Sequence, residues 1–217
     1  MDQYQVKFEK IRIAEVDYTI RSLLDRQQFS DPDGESESLG ISSAMWPIFG
    51  QVWPLAHVLA SIMAQEPLSE IKTLEIGCGI ALSSIVIKNL GGEITATDYH
   101  PLARSFLEAN TKLNCLESID FQTGNWNTEN PELGKYNRII ASDILYEPQH
   151  AVLASSFIDK HASPLVKVTV IDPGRGFHRL FSREMEKLGF SYTADDLRDY
   201  PVNNKKRKGF ILRFSRN

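Results

Sequence analysis

Two acids and two glycines carry the first chemistry this sequence offers. In the run Thr73-Leu74-Glu75-Ile76-Gly77-Cys78-Gly79 an apolar strand ends in a glycine turn. A helix-like segment, Ile80 to Leu90, follows at once, and a second strand, Glu93 to Thr97, ends on Asp98. Strand, glycine turn, helix, strand, acid is the order by which an open parallel sheet builds a nucleotide site at the carboxyl edge of its strands. Asp98 follows Glu75 by 23 positions (98 − 75), the spacing of an acid that holds ribose hydroxyls. The chain is therefore expected to bind an adenosine-containing cofactor.

The glycines choose which one. A dinucleotide site needs G-x-G-x-x-G, because pyrophosphate must approach bare backbone at a helix N-terminus. Here the third glycine position is Leu82, and no lysine follows as a triphosphate-cradling loop requires. An acid at Glu75 sits badly beside pyrophosphate and well beside a cation. S-adenosylmethionine carries a sulfonium, an ammonium and a ribose, and no phosphate. Gly77 and Gly79 let backbone approach its amino-acid part closely, and Asp98 accepts from both ribose hydroxyls. The bland alternative is a strand–helix turn whose glycines serve chain geometry alone. Leu-Glu-Ile-Gly-Cys-Gly resembles the first motif of the seven-strand class I methyltransferases.

The surrounding elements repeat the same alternation. Trp53-Pro54 opens a helix whose apolar face is Leu55, Val58, Leu59 and Ile62. Strands are predicted over Ile71–Ile76, Ile94–Thr97, Ser118–Gln122, Tyr136–Ala141 and Leu165–Ile171. Helices are predicted over Leu102–Leu113, His150–His161 and Phe177–Leu188. Phe190–Thr193 and Phe210–Phe214 read as a closing antiparallel pair. Repeated strand–helix units predict a Rossmann-like α/β fold, a mostly parallel sheet with helices on both faces. Residues 4–20 add an N-terminal hairpin, for which Glu9-Lys10 is a poor turn. The acid-rich stretch 30–43 is read as a loop, either solvent-facing or a lid over the site. One methyltransferase domain is expected over 1–217, with hairpin and acidic loop in 1–45 and the cofactor-binding, catalytic core in 46–217.

Ligands bind such sheets outside the carboxyl ends of the strands. Those ends offer Glu75, Gly77 and Gly79; Asp98, Tyr99 and His100; Gly124, Asn125 and Trp126; Ser142, Asp143 and Tyr146; and Asp172, Pro173, Gly174 and Arg175. His100 before Pro101 reads as a residue that starts a helix. Trp126 reads equally as a lid on the core or a stacking platform.

The segment Ser142-Asp143-Ile144-Leu145-Tyr146 resembles the Asp-x-x-Tyr signature of methyltransferase family 16, most characterised members of which methylate protein lysines. Gly50-Gln51-Val52-Trp53-Pro54 resembles that group's tryptophan-containing helix start, and Trp126 is placed like its tryptophan beside adenine. The likeness spans roughly residues 45–175. It implies that Trp53, Gly77, Cys78, Gly79, Asp98, Trp126 and Ser142 touch S-adenosylmethionine, which leaves as S-adenosylhomocysteine. Cys78 and Ala81 depart from the commoner small residues of the turn. Ile171-Asp172-Pro173-Gly174-Arg175 is similar to only some members, among them the electron-transfer-flavoprotein lysine methyltransferases.

Lysine methylation suits these residues. The acceptor must be a neutral amine, yet a free lysine has a pKa near ~10.4. Burial lowers it, and a nearby carboxylate attracts the ammonium and then receives its proton. Asp143 takes that role, with Tyr146 shaping the pocket; the bland alternative makes Asp143 the N-cap of the next helix.

Composition narrows the rest. An apolar fraction of 42% is that of a globular chain. No apolar run approaches the ~20 residues that cross a bilayer, and Met1-Asp2-Gln3-Tyr4-Gln5 lacks the features of a signal peptide. Cys78 and Cys115 read as two free thiols in a reducing, cytoplasmic compartment, with neither a disulfide nor a metal site. A net charge of −4 argues against a general nucleic-acid binder. The basic cluster Lys205-Lys206-Arg207-Lys208 reads as a solvated hairpin tip, or as a contact for an acidic partner or RNA. Two rival functions stay open: a small-molecule N- or O-methyltransferase on the same scaffold, and a cofactor-binding interaction protein without turnover.

Overall fold

The structure is a computed structural model that describes residues 4–200 and 206–217. The hairpin comes first. Strands β1 (Val6–Ile13) and β2 (Val16–Leu23) pair antiparallel from Val6 opposite Leu23 to Ile13 opposite Val16. Its turn is Ala14-Glu15, both left-handed at φ 45° and 67°, the two-residue geometry that matches strand twist. Glu9 and Lys10 lie in mid-strand.

The acid-rich stretch is more ordered than a plain loop. A short helix α1 (Glu35–Ser38) forms because Asp31 accepts from the backbone N–H of Ser36 at 3.0 Å and Glu37 at 2.9 Å. These bonds, Ser36 first, hold the Asp31 carboxyl below its ordinary range.

The main sheet has strands β3 (Lys72–Ile76), β4 (Glu93–Asp98), β5 (Asp120–Thr123), β6 (Tyr136–Ser142), β7 (Ala162–Asp172), β8 (Ser191–Asp196) and β9 (Phe210–Arg216). Their order is β5-β4-β3-β6-β7-β9-β8. The first five pair parallel, and β9 runs antiparallel to both β7 and β8. Helices α2 (Pro54–Met63), α3 (Leu82–Asn89) and α4 (Ala103–Leu113) cover one face; α5 (Pro148–His161) and α6 (His178–Lys187) cover the other. This is the predicted fold. Its element ends shift for local reasons: α3 starts late because Ala81 is left-handed, and β7 starts early because Ala162, right after α5, is already extended.

From β3 the chain steps outward to β4 and β5, then returns to place β6 on the other side. The crevice at that reversal is where an open α/β sheet takes its ligand. The hairpin docks nearby on α4. Asn114 pairs its side-chain amide with the N–H and C=O of Thr19, both at 2.9 Å, and Asn110 does the same to Arg21 at 2.7 and 3.2 Å. Residues four apart on a helix thus satisfy the free edge of β2.

Of the basic cluster, Lys205 lies outside the described residues. Lys206 and Lys208 are exposed, whereas Arg207 is half-buried and acts electrostatically on His57 of α2. Among the described residues no helix is long and apolar enough to cross a membrane.

Candidate active site

The turn after β3 needs its glycines. Gly77 and Gly79 are left-handed, at φ 59° and 55°. A Cβ on Gly77 would stand 2.9 Å from Ile144 Cγ2, and one on Gly79 would stand 2.7 Å from the backbone oxygen of Phe49. Neighbouring chain therefore closes directly onto the turn, which leaves no room for a side chain at either position. Cys78 N donates to Thr97 O at 2.9 Å, tying the turn to β4.

Asp98 ends β4 and grips the same turn. Its Oδ2 accepts from Gly79 N at 2.8 Å and its Oδ1 from His100 N at 2.9 Å. An ionised carboxylate has about four lone-pair sites, so each oxygen keeps capacity for a hydroxyl donor. Glu75 is buried and turned beneath the cleft. Its Oε2 accepts from Ser84 N at 2.9 Å and from the Ser84 hydroxyl, at the N-terminus of α3, where the helix dipole favours an anion. Burial pushes its pKa up to about 7 despite the Ser84 bonds, and Asp98 adds to the rise. Burial likewise raises Asp98, against the N–H groups of His100 and Gly79. Burial, Asp98 and Glu75 together push the Cys78 thiol well up, so it stays neutral. Among the described residues no lysine or arginine forms an ion pair with Glu75 or Asp98. A buried acid and a half-buried one without a cation fit a positively charged ligand and oppose a phosphorylated one.

Aromatic groups pack around these strand ends. His100 stacks on Phe49 at 3.8 Å and meets the edge of Trp46 at 5.7 Å. Its Nδ1 accepts from Leu102 N at 3.2 Å, and burial drives its pKa down to about 3. It is a neutral helix-starting residue, as expected. Trp53 precedes α2, donates from Nε1 to Ile48 O at 2.8 Å, and carries the Arg26 guanidinium over its ring at 4.4 Å. On the other side, His150 touches both Trp126, at 5.6 Å, and Tyr146, at 4.3 Å. Trp126 also comes within 3.8 Å of the Gly77 Cβ position and packs on the core beneath α5, as a lid on the core does. Burial first, then the charges of Asp98, Tyr99, Glu147 and Asp143, raise the Tyr146 phenol and keep it protonated. Those neighbours place Tyr146 between the ends of β4 and β6.

Ser142 closes β6, half-buried. Asp143 follows in the left-handed region at φ 57°, its N–H donating to Ile171 O at 2.8 Å. A non-glycine residue there is strained, and such strain gathers at functional sites. The helix-cap alternative for Asp143 is overturned: the N-cap of α5 is Glu147, which makes no side-chain cap bond. Asp143 instead receives the Arg175 guanidinium two-handed, Nη1 on Oδ1 and Nη2 on Oδ2 at 3.2 Å. Arg175 comes from the turn after β7, where Asp172 Oδ1 accepts from Gly174 N at 2.7 Å.

The structure thus gathers Gly77, Cys78, Gly79, Asp98, Trp126, Asp143 and Tyr146 at the predicted strand ends. Glu75 stands behind the turn, and the polar contacts of Trp53 run to its own loop. Sequence reasoning missed Phe49 against Gly79, His150 between Trp126 and Tyr146, Ser84 on Glu75, and the pairing of Arg175 with Asp143. Only the last left a signal, in the turn-forming Asp172-Pro173-Gly174 before Arg175.

Comparison with known proteins agrees with this architecture. The model of a family described as "Lysine methyltransferase" matches residues 35–169. No curated protein matches the chain. Among solved structures, the Thermus thermophilus 16S rRNA N2 G1207 methyltransferase, in complex with AdoMet and guanosine, superposes with a TM-score of 0.66 at 13% identity, covering 98% of this chain and 51% of that one. A putative SAM-dependent methyltransferase from Streptococcus mutans gives 0.62 at 11%, covering 98% and 56%. The magnesium protoporphyrin IX methyltransferase of Synechocystis, with bound SAM, gives 0.62 at 16%, covering 88% and 100%. The chain spans about half the length of the first two, and at these identities the likeness is one of fold.

Proposed function

Because this chain belongs to the lysine methyltransferase family, whose model spans residues 35–169, we propose that it methylates a lysine side chain of a protein, with Asp143 and Tyr146 as its catalytic residues. The family uses S-adenosylmethionine, which when bound supplies an electrophilic methyl group on a sulfonium. The observation that carries the reading is the placement of Asp143, strained and partly buried, at the end of β6, where it and Asp98 both act electrostatically on Tyr146.

In this reading Gly77, Cys78 and Gly79 line the amino-acid end of the donor, Asp98 accepts from its ribose, and Trp53, Trp126 and Ser142 complete its walls. Alignment supplies much of the rate in an in-line displacement. The lysine nitrogen contributes the electron pair of the new N–C bond, and the S–C pair stays on sulfur. Asp143 draws in the ammonium and takes its proton, directly or through water, before transfer. Tyr146, held protonated, orients the amine. The protein works in a reducing, cytoplasmic setting, a reading supported by two unpaired thiols, Cys78 and Cys115.

The test is incubation with methyl-labelled S-adenosylmethionine and a cell lysate, followed by hydrolysis and amino-acid analysis. Labelled methyl-lysine is the expected product, falling ~10²-fold or more with Asp143→Asn. Label confined to small molecules or to RNA contradicts the reading.

A further inference from the structure

Arg175 stands where the proposed acceptor must bind, and no step above uses it. It holds both oxygens of Asp143 and is 42% exposed against 13% for that carboxylate. It therefore covers Asp143 from the solvent side. Its backbone is pinned: Asp172 clasps Gly174 N, and Phe210 lies 3.5 Å from the Gly174 Cβ position while its ring packs on His178 at 4.4 Å. The side chain above that anchor is held by Asp143 alone among the ion pairs of the described residues.

An ammonium arriving at Asp143 meets a guanidinium already in place. One carboxylate accepts a bidentate guanidinium or a well-seated ammonium, and like charges at contact repel. So Arg175 must swing out as the lysine enters, and it then needs an anion. Glu147, which with Asp143 acts electrostatically on Tyr146, already accepts from Gln149 Nε2 at 2.6 Å. Among the described residues, Asp143 is the one carboxylate in ion-pair contact with Arg175, and nearby Asp172 is buried beneath the loop. We infer that Arg175 is a specificity-determining residue that selects lysines flanked by an aspartate or glutamate in the substrate. On binding, one ion pair becomes two: the substrate ammonium takes Asp143, and the substrate carboxylate takes Arg175. This rests on the lysine reading above and adds to it a charge rule for the acceptor.

The experiment uses synthetic peptides with one central lysine flanked by acidic, neutral or arginine residues, assayed with labelled S-adenosylmethionine. For the wild type, kcat/KM should be roughly 10-fold higher for acidic than for neutral flanks, the scale of one favourable charge pair across an interface. Arg175→Ala and Arg175→Gln should lose that preference and gain on neutral peptides, and Arg175→Glu should favour arginine flanks. Calorimetric affinity for S-adenosylhomocysteine should be unchanged in all three. A wild type indifferent to flanking charge overturns the inference, as does an acidic preference that survives Arg175→Glu. So does labelling of lysate proteins without labelling of any peptide. Those outcomes leave lysine methylation standing; absence of methyl-lysine from both peptides and lysate overturns that reading as well.

Discussion

Asp98 and Glu75 are the residues through which the cleft declares the charge of its ligand. Asp98 clasps the turn at Gly79 and His100, and in the proposed function its remaining lone pairs accept from a ribose. Asp98→Ala is therefore expected to weaken S-adenosylhomocysteine binding ~10- to 100-fold, the worth of one or two charge-assisted hydrogen bonds. Unchanged calorimetric affinity would remove it from the site. Glu75 makes a prediction about pH. Its folded pKa of about 7 lies above the ordinary 4.5, so across that window the folded protein holds a proton that the unfolded chain releases. Stability is then greatest near or below pH 4.5 on this account and falls as pH rises toward 7. The loss is on the order of 3 kcal/mol at ~1.4 kcal/mol per pKa unit. Thermal unfolding from pH 5 to 8 should show that slope in the wild type and not in Glu75→Gln. Equal slopes would refute the assignment. The spacing of these two acids was legible in the sequence because strand and turn periodicity fixed it. The burial that raises their pKa values was not, since it depends on tertiary packing around the strand ends.

At the scale of elements, the β3–turn–α3–β4 unit depends on how closely chain packs on its glycines. Gly79→Ala would push a methyl into the Phe49 backbone, and Gly77→Ala into a movable Ile144 side chain. Both also force φ > 0 on a residue that resists it, at ~1–2 kcal/mol. Gly79→Ala should therefore lose more stability, and Ile144→Ala should partly rescue cofactor affinity in Gly77→Ala alone; equal losses without rescue would contradict the packing described. The hairpin offers a second test. Asn110→Ala with Asn114→Ala removes the amide pairs on Thr19 and Arg21, each bond worth ~1 kcal/mol net. Hydrogen exchange at the Thr19 and Arg21 amides should accelerate while the β3 amides stay protected; unchanged exchange would mean the hairpin is held otherwise. Alternation of apolar residues made the hairpin strands readable, but Ala14-Glu15 carries none of the glycine or asparagine that marks such a turn. Two asparagines four apart read as ordinary polar helix positions, so the docking was hidden.

For the whole molecule, the strand order β5-β4-β3-β6-β7-β9-β8 brings five strand ends to one edge and reverses beside the glycine turn. Alternating strands and helices predict a mostly parallel sheet covered on both faces, which is why the architecture was readable in the sequence. The acceptor was not, because the same scaffold serves many substrates; among the structures it superposes on are an rRNA methyltransferase and a protoporphyrin methyltransferase. The proposed choice of acceptor rests on local residues, Asp143, Tyr146 and Arg175. The central claim is that the methyl donor lies across the glycine turn with its sulfur toward Asp143. A crystal soaked with S-adenosylhomocysteine tests it most directly. The account predicts the ribose on Asp98, the amino-acid end along Gly77–Gly79 and the sulfur facing Asp143; a ligand bound elsewhere, or NAD taken up by this cleft in its place, would contradict it.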